Sequence, residues 1–285
     1  GGRGCVRDGM GTMRCVVETR KEKGNGCGEE HSEMPETEDP VVFSAHGVAK
    51  AVPAEAAARN MFYLDATCPL VSKVHKEAQI HFKRGREVVL IGHAGHPEVV
   101  GTMGQLPDGA ISLVETVEDV ARFEPCDPAN LSWVSQTTLS VDDTHAIVEA
   151  LTARFPEIVS PHKDDICYAT QNRQNAVKER SRRAQVVLVG GAPTSSNSNR
   201  LVELAAKTGA RAYLVETSDD IDPTWLAGAD CVGVTAGASA PEVLVEQVVE
   251  RLRALAPDGF VLDALPKVDE GVVFQLPAEL RHAGR

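Results

Sequence analysis

Asp65-Ala66-Thr67-Cys68 and Asp164-Asp165-Ile166-Cys167 are two copies of one phrase, D-x-x-C. Each is followed by a stretch of helical composition and then by a short apolar run that closes on glycine. The first run is Val88-Val89-Leu90-Ile91-Gly92 and the second is Val186-Val187-Leu188-Val189-Gly190. From Cys to run the interval is 20 residues in one copy (68 to 88) and 19 in the other (167 to 186). A Cys at the head of a helix, repeated in the same unit, marks an internal repeat that supplies a chemical ligand from each copy. Strands alternating with helices predict an α/β fold with parallel sheets covered on both faces. In such folds ligands sit at the carboxyl ends of the strands.

Outward from these copies, the pattern predicts strands at 41–44, 62–65, 87–91, 111–114, 131–135, 185–190, 211–215 and 231–235, with one more strand-like run at 271–274. Helices are expected at about 53–60, where Pro53 suits a first turn, and at about 169–182. On the helix after Cys68, residues Val71, Val74, His75, Ala78 and Phe82 fall on one face. Leu201, Leu204 and Ala205 open an amphipathic helix, and Leu244, Val248, Leu252 and Leu255 stripe the last one. Ser140 is a candidate N-cap with Asp143 in the capping-box place. Residues 1–40 are rich in Gly and charge, lack periodicity, and read as a poorly ordered or altered terminus, with order beginning at Val41.

The 285 residues are 42% apolar, enough for one large α/β domain or two or three small ones. No apolar run approaches the ~20 residues that cross a bilayer, and no signal-like stretch opens the chain, so a cytoplasmic protein is expected. A net charge of −12 argues against coating nucleic acid, and leaves room for a phosphorylated small substrate bound by backbone N–H groups, hydroxyls and His. Seven cysteines in such a chain read as metal ligands or buried thiols rather than a disulfide framework.

A thiolate at a helix N-terminus is favoured by the dipole and makes a soft-metal ligand. Single cysteines far apart do not suit a zinc ribbon, which needs close pairs; an iron–sulfur cluster fits better, the plain alternative being two buried structural thiols. His93, His96 and Glu98 crowd one strand-to-helix corner, as a metal site, as an anion site with a general acid, or as ordinary first-turn residues. Ser195-Ser196-Asn197 and Ser239 open helices after strands, where hydroxyls and amides either cradle phosphate without lysine or simply cap. His46 and Thr137 stand at other strand exits.

At these residues the chain resembles the LytB family, the 4-hydroxy-3-methylbut-2-enyl diphosphate reductases of the non-mevalonate isoprenoid pathway. The matching stretches are Phe43–Val48, Asp65–Val71, Gly92–Glu98, Gln136–Ser140, Asp165–Thr170, Ser195–Arg200 and Thr235–Pro241, in family order over about 41–280. The resemblance implies three pseudo-equivalent small α/β domains around a central cavity. Here they would be 1–65, 66–160 and 161–265, with a tail at 266–285 returning to the core. It implies a 4Fe-4S iron–sulfur cluster with Cys68 and Cys167 among its ligands. His46, His96, Ser195, Ser196, Asn197 and Ser239 would hold the diphosphate, Glu98 would be the proton source, and Thr137 would sit beside it. The implied reaction is a two-electron reductive dehydroxylation giving isopentenyl and dimethylallyl diphosphates. Electrons would come from a ferredoxin- or flavodoxin-type protein, with no nucleic-acid or membrane partner.

The family's opening Cys-bearing segment has no counterpart here. In the matching register Cys5–Arg14 lies downstream of its place, Thr12 stands where a substrate-binding His is expected, and the segment itself would precede Gly1. Cys5, Cys15 and Cys27 do not have the lost ligand's context. Residues 1–65 are therefore expected to be a truncated, altered remnant of the first domain. Two thiolates hold a four-iron cluster poorly, so the alternative to an active reductase is a non-catalytic diphosphate-binding remnant. A zinc hydrolase built on His93, His96 and Glu98 is the third reading.

Overall fold

Short continuous apolar runs make stable strands only if both faces are covered, and two of them set the architecture. β5 (Glu87–Ile91) and β8 (Val186–Gly190) are each the middle strand of a three-stranded parallel sheet. β5 lies between β6 (Ile111–Val114) and β7 (Leu131–Ser135), and β8 lies between β9 (Arg211–Val215) and β10 (Val232–Ala236). Both sheets therefore run second–first–third in chain order, so the repeat in the sequence is a repeat of topology. The computed structural model describes residues 4–7, 13–16, 41–256 and 259–264. Thr12, Cys27, the strand-like run at 271–274 and the tail at 266–285 lie outside the described residues.

A third parallel pair, β3 (Val41–Phe43) with β4 (Tyr63–Asp65), is joined by α1 (Ala51–Ala58). Helix α1 starts two residues before the predicted start, and Pro53 fits there because the first turn's N–H groups lack intrahelical acceptors in any case. Order also begins earlier than Val41: β1 (Gly4–Arg7) pairs antiparallel with β2 (Met13–Val16). Four-residue strands are too short to show a period of two, so no pattern in the residues announced them.

The chain divides into two compact units. Among the described residues, one comprises 4–7, 13–16, 41–137 and 144–165; the other comprises 138–143, 166–256 and 259–264. In the first, Val88 and Leu90 of β5 pack with Val74 and Ala78 of α2 (Pro69–Lys83) and Val99 of α3 (Pro97–Met103). In the second, Val187 and Val189 meet Val177 of α6 (Tyr168–Arg180) and Leu201 and Leu204 of α7 (Ser196–Lys207) on one face. On the other face Val186 and Leu188 meet Leu244, Val248 and Leu252 of α8 (Glu242–Leu255). The core face of α2 differs from expectation at one place: His81 is buried and Phe82 is 39% exposed. Both positions are compatible with a 3- or 4-residue step from Ala78, and the helix turns the histidine inward.

Strand ends matter as much as strand centres. A Cβ on Gly191 or on Gly237 would fall 2.1 Å from the Ser198 Oγ, so the backbones leaving β8 and β10 close onto this one buried side chain from two sides. Leu188 is fully buried. Leu188→Ala is expected to destabilise the protein by roughly 2–5 kcal/mol in denaturant unfolding. Phe82→Ala, although it removes a larger side chain, is expected to cost no more than about 1 kcal/mol.

Candidate functional site

In a parallel sheet ordered second–first–third, the first crossover leaves the middle strand toward one edge and the second returns past it to the other, and a crevice opens at the carboxyl end of the middle strand. In the first unit that crevice lies where β5 and β7 finish side by side, Ile91 opposite Ser135. The loop leaving β5 carries His93, His96 and Glu98, and the loop leaving β7 carries Gln136 and Thr137. Gln136 ties the two loops together, accepting the His93 N–H on its side-chain oxygen at 3.1 Å.

Glu98 is 1% exposed, and its carboxylate is turned to Thr137. The Thr137 backbone N–H donates to Oε1 at 2.6 Å and the Thr137 hydroxyl meets Oε2 at 3.0 Å. Among the described residues, no cation is a principal influence on its charge. Burial pushes the Glu98 carboxyl up to about 7, against the opposing pull of the two Thr137 hydrogen bonds and with a small push from Asp165. A carboxylic acid at that value changes protonation near neutrality, as a general acid must.

His96 is the N-cap of α3, and its Nδ1 accepts the Glu98 N–H at 3.2 Å. An Nδ1 that accepts leaves the ring proton on Nε2, a neutral donor. Burial, with His46 and His93 nearby, lowers the His96 pKa to about 4, so the ring stays neutral under ordinary conditions. The His46 ring stands edge-on to it, with centroids 5.6 Å apart. His46 comes from the turn after β3, where the Ser44 hydroxyl accepts the His46 N–H at 3.3 Å. Gly47 (φ +75°) lets that turn approach: a Cβ there would fall 2.6 Å from the His75 ring, and one on Gly101 would fall 2.9 Å from the Gly47 carbonyl oxygen.

The second unit has its own crevice, where β8 and β10 finish with Gly190 opposite Ala236. Ser195 caps α7; its Oγ accepts the Ser198 N–H at 3.3 Å and meets the Ser198 hydroxyl at 3.0 Å. The Thr138 and Ser196 hydroxyls are 3.5 Å apart. Asn197 is 5% exposed, yet neither its amide oxygen nor its amide nitrogen has a hydrogen-bond partner among the described residues. An orphaned buried amide in a helix's first turn is the mark of a site shaped for a polar ligand. Ser239 follows β10 in the neighbouring loop, just before α8.

Cys68 and Cys167 are both free and partly exposed, and they are the N-cap residues of α2 and α6. Neither thiol is spent on capping, so the chemistry of this donor set fits soft-metal ligation. The zinc reading of the His93 corner is not supported. His93 faces Glu115 at 3.7 Å, His96 Nδ1 is occupied by a backbone N–H, and the Glu98 carboxylate is held by Thr137. Among the described residues no three His, Cys, Asp or Glu side chains converge as a metal site.

Sequence reasoning did not single out Gln136, Ser198, Gln174 or the Lys73–Asp165 pair. Gln174, 2% exposed, clamps the segment after Thr137: its amide donates to the Leu139 carbonyl at 2.8 Å and accepts the Val141 N–H at 3.0 Å. The only signal for these residues is a polar side chain at a core position of a periodic stretch.

A family model described as LytB protein matches residues 12–253. The chain is 60% identical over 275 residues to the 4-hydroxy-3-methylbut-2-enyl diphosphate reductase of Phenylobacterium zucineum, spanning 96% of this chain and 87% of that protein. It is 58% identical over 278 residues to the enzyme of the same name from Hyphomonas neptunium, again 96% and 87%. The solved structure of the E-1-hydroxy-2-methyl-but-2-enyl-4-diphosphate reductase from Plasmodium falciparum superposes with a TM-score of 0.77 at 34% identity, over 84% of this chain and 74% of that one. With matched topology, a family model running through both repeats, and relatives alike over almost its whole length, this chain belongs to the LytB family.

Proposed function

We propose that this protein is a 4-hydroxy-3-methylbut-2-enyl diphosphate reductase, an oxidoreductase that removes the substrate hydroxyl as water and yields isopentenyl and dimethylallyl diphosphates. Two electrons and two protons balance the change: the departing hydroxyl takes one proton and the allylic carbon skeleton takes the other. The observation that carries the reading is the buried Glu98 gripped by Thr137, in a chain 60% identical to a named reductase. That identity runs through both repeats, which favours the enzyme over a non-catalytic remnant.

Each side chain has work suited to its environment. In the first unit, His96 presents a neutral Nε2–H to phosphate oxygen, His46 stands beside it, Thr137 orients the substrate hydroxyl, and Glu98 delivers the proton. In the second unit, Ser195, Ser196, Asn197 and Ser239 supply hydroxyl and amide donors to the diphosphate, with the α7 N-terminus adding backbone N–H groups. Cys68 and Cys167 are thiolate ligands of a 4Fe-4S cluster, which when bound would supply the electrons. The donor is a ferredoxin- or flavodoxin-type protein, and the location is the cytoplasm. Among the described residues, no helix is long and apolar enough to cross a membrane.

Glu98→Gln, which keeps shape and loses the proton, is expected to lower kcat for reductive dehydroxylation by about 10²–10⁴ while KM changes far less. Wild-type kcat/KM should fall as pH rises past about 7, where Glu98 of the free enzyme ionises, and the E98Q variant should lack that limb. A wild-type profile flat from about pH 6 to about pH 8.5 would remove Glu98 from the role.

Stability carries the same signature. The Glu98 pKa in the folded protein, about 7, lies above the ordinary 4.5, so its contribution is fully present below pH 4.5 and lost as pH rises through 7. The whole loss is on the order of 3 kcal/mol. Denaturant unfolding of wild type and E98Q at about pH 5 and about pH 8 should show the wild type losing ground to the variant at the higher pH.

Anaerobic reconstitution with iron and sulfide tests the cluster. Wild type should take on brown colour and a reduced-state paramagnetic resonance signal, and Cys68→Ser and Cys167→Ser should each lose most of both.

A further inference from the structure

The second D-x-x-C copy contains a feature that the first lacks. Two residues before the Cys the first copy has Ala66 where the second has Asp165. The first copy's Asp65, the counterpart of Asp164, accepts the Thr67 N–H at 2.9 Å in solvent. In the second, the Asp165 side chain is fully buried and both its oxygens are engaged. Oδ1 meets Lys73 Nζ at 2.6 Å and Oδ2 accepts the Ser135 backbone N–H at 2.8 Å. Lys73 also reaches Glu77 at 3.1 Å and donates to the carbonyl of Lys163, so its ammonium is fully subscribed.

These contacts fix three segments on one carboxylate. Lys73 belongs to α2, the helix that Cys68 caps, five residues further on. Ser135 ends β7, two residues before Thr137. Asp165 is the last described residue of the first unit, and Cys167 follows two residues later. Asp165 is buried, whereas the Lys73 side chain keeps 23% of its surface exposed. Desolvating such a carboxylate costs several kcal/mol, and attraction to a partly exposed ammonium barely repays it. A buried carboxylate bridged to a lysine at this place is therefore better explained by registry than by stability.

We propose that Lys73 and Asp165 are positioning residues for the cluster ligand Cys167, anchoring the chain where it leaves the first unit so that this thiol is presented in one geometry. The proposal rests on the reading of Cys167 as a cluster ligand, but its first test does not need the cluster. In the cluster-free protein, alkylation by iodoacetamide followed by peptide mass spectrometry compares Cys167 with the exposed Cys126 and Cys231 as internal standards. Asp165→Asn can accept from Lys73 or from Ser135 but cannot hold both as a carboxylate does. It should change the Cys167 rate at least about threefold relative to those standards. Lys73→Gln removes the charge partner at a side chain that is 23% exposed and should do the same with less loss of melting temperature, so a folding defect in Asp165→Asn leaves the test intact.

After anaerobic reconstitution, both variants should surrender iron to a chelator at least about tenfold faster than wild type, with altered g-values in the reduced cluster. Unchanged Cys167 alkylation and unchanged iron loss, with only a lowered melting temperature, would mean a purely structural ion pair and overturn the proposal. A wild-type chain that takes up no cluster would defeat the reductase reading, whereas altered Cys167 alkylation in the variants would still uphold the anchor.

Discussion

Everything at this protein's reactive surface follows from one constraint: a strand hydrogen-bonded on both edges and covered on both faces has only its ends free for chemistry. β5 and β8 are such strands, central in their sheets and built almost wholly of valine, leucine and isoleucine. Their side chains are committed to two apolar layers, so polar function is displaced to the residues immediately after them. That displacement is why His96 and Glu98 follow β5 within seven residues of Ile91, and why Ser195 and Asn197 follow β8 within seven of Gly190. The shared second–first–third order then brings the exit of the third strand alongside, supplying Thr137 in one sheet and the Ser239 loop in the other.

Two buried carboxylates in the first unit illustrate how partner choice divides function from framework. Asp165 is given a lysine, whose attraction holds the rise imposed by burial to about 6, so the carboxylate is still mainly ionised at neutral pH. Glu98 is given a hydroxyl and an amide N–H, which burial overrides. The first arrangement suits a fixed charge that anchors chain segments; the second suits a group that must change protonation. Residue type is the same class in both, and the surrounding donors decide the role.

Much of the fold was legible because its signals are local. The apolar runs at 88–91 and 186–189 could be little else than buried strands, and the cysteine-led helices punctuated them. The candidate site residues were legible as members of recognisable stretches: Glu98, Thr137 and Asn197 all stand at strand exits and helix starts. What could not be read is of two kinds. His81 rather than Phe82 faces the core because adjacent positions at the 3- and 4-step are nearly degenerate in a helical pattern, and local hydrophobicity chose the wrong one. Gln174 and Lys73 are partnered across long intervals, with Leu139 and Asp165, and a single sequence contains no signal for which distant polar groups will meet. The pairing of β1 with β2 was missed because it rests on backbone bonds between segments too short to be patterned.

The chemistry of the donors explains why a phosphate-binding reading agrees with a net charge of −12. The candidate diphosphate donors are hydroxyls, an amide, backbone N–H groups and the histidines His46 and His96, the latter kept neutral by burial; none is a lysine or arginine. A cation beside Glu98 would favour its ionised form and pull its pKa down toward the ordinary carboxylate range, removing the proton that the reaction needs. Neutral donors avoid that penalty. A bound diphosphate, being an anion, would instead disfavour ionisation of Glu98 and hold its proton in place until it is transferred. The neutrality of His96 is thus part of the acid's tuning: protonating that ring, adjacent through the Glu98 N–H, would strengthen its hold on phosphate while weakening the case for a protonated Glu98. Burial of both groups in the same crevice keeps the imidazole uncharged and the carboxyl protonated across an overlapping range of pH, from about 4 to about 7.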